Sequence, residues 1–105
     1  MSLFGSVSSK QVDEFAVALA REFAEQFPPA AGGGGRPATP ARKLVNVLEA
    51  LFRRALEFKT RNKLGVYKKA RLGNSFRWEL SELGYDKTFA EDVTQRLIVQ
   101  LSRRS

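Results

Sequence analysis

The chain has 105 residues, with 18 Lys/Arg against 11 Asp/Glu and a net charge of +7, which is enough for one domain with a modest core and too little for two. It contains no cysteine and no histidine; this excludes disulfides and thiolate sites and removes the commonest general base and metal ligand, so the sequence reads as non-catalytic, with no cofactor and no metal. No apolar run approaches the roughly 18 residues of a membrane span, and MSLFGSVSS is too short and too weakly basic for a secretory signal, so the expectation is a cytoplasmic protein without a membrane partner.

In chain order, residues 1–7 read as a flexible leader. Ser8 and Gln11 have capping-box spacing, and Val12, Phe15, Ala16, Leu19, Ala20, Phe23 and Phe27 recur at helical spacing, so residues 8–27 should form an amphipathic helix. Asp13, Glu14, Arg21, Glu22 and Glu25 make its wet side. Pro28 and Pro29 stop it. The segment PPAAGGGGRPATP, within residues 28–40, has the composition of a flexible Gly/Pro-rich linker. It leaves open whether the first helix docks on its own chain or on another. The four glycines are no phosphate loop, because no strand precedes them.

Thr39 and Pro40 have the order of an N-cap and first helical residue. A long helix then carries Leu44, Val45, Val47, Leu48, Leu51, Phe52, Ala55, Leu56 and Phe58 on a broad apolar face. Lys59 falls on that apolar side, and Gly65 is the expected terminator. Beyond it, VYKKARL and FRWELSEL read as two short helices joined through Gly73 and Asn74, with Asn74 or Ser75 capping the second and Gly84 closing it. On the second, Phe76 belongs to the core, while Tyr67 and Trp78 are expected to pack with only their polar tips outward. Thr88 and Glu91 repeat the capping-box spacing ahead of Phe89, Val93, Leu97, Ile98 and Leu101. No stretch alternates with period two, and no internal repeat is evident. The fold class is therefore all-α: a small single-domain bundle of three main helices and one or two short ones, with residues 41–105 as its basic helical core.

The charge is unevenly distributed. Residues 28–77 hold twelve Lys/Arg against only Glu49 and Glu57, and aromatic residues accompany them. Cations neutralise phosphates and exposed rings stack on unpaired bases, so the sequence predicts a nucleic-acid-binding accessory or regulatory protein. Its contacts would be Arg53, Arg54, Arg61, Lys63, Lys68, Lys69, Arg71 and Arg77. One specific form is a helix-turn-helix across Gly73 and Asn74, with Asn74, Ser75 and Arg77 at the reading positions. The alternative is a protein-interaction adaptor, in which the mobile first helix docks its Phe15, Leu19, Phe23 and Phe27 stripe into a partner's groove while the basic region meets an acidic protein. Glu79, Glu82 and Asp86 have donor atoms for Mg²⁺, but their spacing equally describes a solvated helix face. The sequence does not separate DNA from RNA, specific from nonspecific binding, or monomer from homodimer.

Overall fold

A computed structural model describes residues 7–29 and 41–103. Among these residues the fold is all-helical: α1 (Ser9–Gln26), α2 (Ala41–Asn62), α3 (Val66–Glu82) and α4 (Lys87–Ser102). None of the helices is long and apolar enough to cross a membrane. The expected linker lies outside the described residues except for Pro28 and Pro29, as do residues 1–6 and the Thr39–Pro40 cap.

The first helix begins as its sequence dictates. Gln11 N–H donates to Ser8 Oγ at 3.1 Å, and Ser8 N–H donates to Gln11 Oε1 at 3.0 Å, so the two ends of the capping box satisfy each other's orphan donors. The helix ends at the two prolines, with Phe27 N–H donating to Phe23 O.

Cross-helix contacts set the topology. Along α1, Asp13 meets Arg71, Arg21 meets Glu79, and the Phe27 carbonyl accepts from Tyr85 Oη; both sequences ascend together, so α1 and α3 are parallel. Phe15 stacks on Phe58, with ring centroids 3.9 Å apart, and Glu22 pairs with Arg54, which makes α2 antiparallel to α1. Lys59 reaches the carbonyl of Leu101, which brings the C-terminal ends of α2 and α4 together. The helices run up, down, up and down in a bundle 48 × 23 × 19 Å in extent. Around the bundle the order is α1, α3, α4, α2, so consecutive α2 and α3 lie on a diagonal, and the α1–α3 pairing is the most extensive. Ala16, Ala20 and Ala24 line α1 at i, i+4 spacing, which lets its backbone approach a neighbour closely.

The core runs the length of the bundle through Leu19, Phe23, Leu51, Ala55, Leu72, Phe76, Leu80, Leu97 and Leu101, all buried. At one end Phe23, Phe27, Tyr85 and Phe89 form an aromatic cluster with centroid separations of 5.3–6.2 Å. Burial there pushes the Tyr85 hydroxyl above the ordinary phenol range.

Three boundaries differ from the sequence reading. The two short helices are one continuous α3, and Gly73 sits in its middle because α4 packs against it. A Cβ at Gly73 would lie 2.6 Å from Ile98 Cδ1 and 2.8 Å from Ile98 Cγ1. Among the described residues the bundle thus has four helices of 16–22 residues rather than three long and one or two short. Helix α4 starts at Asp86, whose Oδ2 accepts from the amides of Thr88 and Phe89; an acid at the positive end of a helix is a better cap than the Thr88–Glu91 pair one turn on. Helix α2 is closed not by Gly65 but by Lys63, in the left-handed region at φ 50°. Leu64 N–H then donates to Lys59 O and Lys63 N–H to Thr60 O, the paired bonds of a Schellman motif. Gly84, at φ 107°, closes α3 by the same pattern, as expected: Tyr85 N–H donates to Leu80 O and Gly84 N–H to Ser81 O.

Candidate nucleic-acid interface

The up-and-down topology gathers four chain ends at one pole of the bundle: the starts of α1 and α3 and the ends of α2 and α4. Of the residues singled out from sequence, Arg61, Lys63, Lys68, Lys69 and Arg71 stand here. Lys59, Lys10 and Arg103 are added by the fold. Identifying Lys10 and Arg103 needs the helix directions as well as the charge run, because both lie outside residues 28–77.

The cations at this pole divide into two groups. Some are committed to the fold: Arg71 makes a two-pronged pair with Asp13 at 2.9 and 2.8 Å and also donates to Tyr67 Oη at 3.2 Å. Ser75 Oγ donates to the same Asp13 carboxylate at 2.7 Å. The Arg71 and Ser75 hydrogen bonds hold Asp13 below the usual carboxylate range, and Asp13 in turn raises the Arg71 guanidinium. Lys68 Nζ donates to the carbonyl of Val7, tying the entry of α1 to α3. Lys59 is buried, only 5% exposed, and its Nζ donates 2.8 Å to Leu101 O in the last turn of α4. A cation at that end complements the helix dipole. Desolvation, with a smaller push from Lys69, moves its pKa down.

The second group, Arg61, Lys63 and Lys69, is not ion-paired among the described residues, although Glu57 stands one turn before Arg61 on α2. In the first turn of α3, Tyr67 is 66% exposed and Val66 81%; the ring of Tyr67 is open to solvent rather than packed as its sequence context suggests. Trp78, farther along α3, is likewise 65% exposed. Both stand on the outer side of α3, because Leu72, Phe76 and Leu80 take its inward side. Gly65, the N-cap of α3, supplies no side-chain acceptor, so the first amides of α3 also open toward this pole.

The other predicted contacts are elsewhere. Arg54 pairs with Glu22 at 2.6 Å and lies 5.9 Å from the Phe15 ring centroid. Arg53 lies on the outer face of α2 between Glu49 and Glu57, and Arg77 borders a groove between α3 and α4 together with Glu91. The continuity of α3 removes the helix-turn-helix: there is no turn at Gly73–Asn74, and Ser75 is engaged by Asp13. The stripe on α1 is occupied as well, since Leu19, Phe23 and Phe27 are buried in the chain's own core and Phe15 stacks on α2. Among the acids, Glu79 pairs with Arg21 at 3.0 Å and Asp86 caps α4. No group of three potential metal-binding His, Cys, Asp or Glu occurs among the described residues.

No protein-family model, curated protein or solved structure matches this chain.

Proposed function

We propose that this protein binds nucleic acid through the pole formed by the α2–α3 turn, acting as a small accessory or regulatory protein with no reaction of its own. The observation that carries this reading is the group Arg61, Lys63 and Lys69, without ion-pair partners among the described residues, at the same pole as the exposed ring of Tyr67. The open amides at the start of α3 support it, because a helix N-terminus favours phosphate. An exposed ring among cations suits unpaired bases better than a duplex, whose bases are stacked on each other. The contact set is narrower than the sequence suggests: Arg61, Lys63 and Lys69 meet phosphates, Tyr67 meets a base, and Lys68 and Arg71 hold the frame.

The test is a salt-dependent titration with single-stranded DNA, single-stranded RNA, duplex DNA and an acidic polypeptide. Each phosphate contact on a single strand contributes about 0.7 to the slope of log affinity against log salt. Replacing Arg61, Lys63 and Lys69 together by Ala should flatten that slope by about 2. Removing Arg42, Lys43 and Lys87, which stand at the opposite pole, should change it much less, because their field is screened over about 8–10 Å. Tyr67→Ala should cost about 1–3 kcal/mol on single strands and little on a duplex. Equal effects from the two triple variants, or no binding to any nucleic acid at about 50 mM salt, would defeat the proposal. Binding to the acidic polypeptide alone would favour the adaptor reading in a form that uses the basic pole without α1.

A further inference from the structure

Helix α2 has an apolar stripe that its own chain only half covers. Leu51 and Ala55 are buried; Leu48, Phe52 and Leu56 are partly buried against the core, and Val45 is 55% exposed. At 100° per residue Val45, Leu48, Phe52 and Leu56 fall within one narrow sector, turned away from α1 and bordering α4. An open trough of ≈ 1020 Å³ runs beside this sector, lined by Phe52, Leu56 and Gln100 and by the charged Glu49, Arg53, Glu57 and Arg61. It is too open to enclose a small molecule.

The order of residues along α2 identifies the occupant. About a midpoint at Ala50 and Leu51, and to within half a residue, Val45 mirrors Leu56, Leu48 mirrors Phe52 and Glu49 mirrors Arg53. When two copies of one helix pack antiparallel about a two-fold axis, residues nearly equidistant from the midpoint meet and each flank faces the same flank of its mate. Apolar residues then meet apolar residues, and each Glu49 meets an Arg53 twice over. The same register sets the basic pole of one bundle beside the other's opposite pole, where Glu82, Asp86 and Glu91 stand together with Arg42, Lys43 and Lys87.

We infer that α2 is a self-association surface: two copies of this chain pair antiparallel along Val45, Leu48, Phe52 and Leu56, with reciprocal Glu49–Arg53 contacts on the open flank. The pair leaves the two basic poles at its opposite ends, with Arg61 of each copy at the border of the trough. The interface is a single helix with one neighbouring edge, so association is weak and reversible.

The test is sedimentation equilibrium of the full chain over a range of concentrations, with charge reversals at two exposed positions that the core does not use. Glu49→Arg and Arg53→Glu should each weaken dimerisation about tenfold or more, because both symmetry-related contacts become repulsive. The double variant Glu49→Arg/Arg53→Glu should restore it. An equimolar mixture of the two single variants should also dimerise, since the paired arginines of a Glu49→Arg chain then face the paired glutamates of an Arg53→Glu chain. A chain that stays monomeric up to about 1 mM, the weak limit of specific association, would overturn the inference and leave the trough to another segment or a foreign protein. A dimer indifferent to these exchanges would overturn it as well, because it would use another face.

Discussion

Lys63 is the residue at which fold and proposed function conflict most plainly. The closing turn of α2 needs a left-handed backbone there, a conformation that glycine adopts freely and that costs an ordinary L-residue about 1–2 kcal/mol. A lysine in this place is strained without any structural benefit from its side chain, which is exposed and unpaired among the described residues. Such strain persists at functional sites, where the side chain is needed more than the conformation is comfortable. Lys63→Gly should therefore separate the two quantities. Relief of the backbone, partly offset by the greater freedom of glycine in the unfolded chain, should raise stability by up to about 1 kcal/mol in urea denaturation. Affinity for single-stranded nucleic acid should fall, and the salt slope should flatten by about 0.7. A variant that is both more stable and an equally good binder would remove Lys63 from the interface.

At the level of elements, the informative case is α3. Its sequence carries Gly-Asn in the middle, a pair that favours turns, yet the helix runs unbroken from Val66 to Glu82. Gly73 marks close approach rather than a break. A mid-helix glycine costs about 1 kcal/mol relative to alanine, and here the packing of Ile98 against it offsets that cost. The sign of Gly73→Ala discriminates between these roles. If Gly73 were only a weak point in the helix, alanine would stabilise the protein; because a Cβ would meet Ile98 at 2.6 Å, the expected result is a loss of about 1–3 kcal/mol. Ile98→Ala removes both clashing atoms, so the loss from Gly73→Ala should largely vanish in the Ile98→Ala background. Additive effects in that double-mutant cycle would mean that the two residues do not meet.

Over the whole molecule the charge is polarised along the bundle axis, and the ties between helices are ionic as well as apolar. With no histidine, no side chain of ordinary pKa titrates between the carboxylates and the lysines, so nucleic-acid binding should be nearly flat from about pH 5.5 to 8. Acid is different. Asp13 is held below its ordinary pKa by Arg71 and Ser75, so as pH falls the unfolded chain takes up this proton first. The stability that Asp13 contributes is thus complete above the ordinary carboxylate pKa of about 3.9 and is lost as pH falls through its lower native value. Solvent reaches both partners, Arg71 at 37% and Asp13 at 34% side-chain exposure, so the effect is modest and salt-sensitive. The wild type should melt above Asp13→Asn at about pH 6, and the gap should narrow progressively as pH falls below about 4. A gap that does not change with pH would mean that the loss in Asp13→Asn is steric and not electrostatic.

The sequence alone determined the all-helical class, the first helix with its capping box, the apolar face of α2, the close of α3 at Gly84 and the placement of Phe76 in the core. Each of these rests on residues within a turn or two of one another, where periodicity and capping chemistry act directly. It also located the basic segment. Only the tertiary structure decided which of those cations are available: Arg71 is taken by Asp13, 58 residues away, Arg54 by Glu22, 32 residues away, and Lys68 by the carbonyl of Val7. The continuity of α3 was hidden for the same reason, since Gly73 answers to Ile98 on another helix and not to its chain neighbours. The half-covered face of α2 follows from how far α1 and α4 reach across it. Local spacing specifies an element and its inward side, but partners distant in the chain determine which charges and which apolar faces are left over to act.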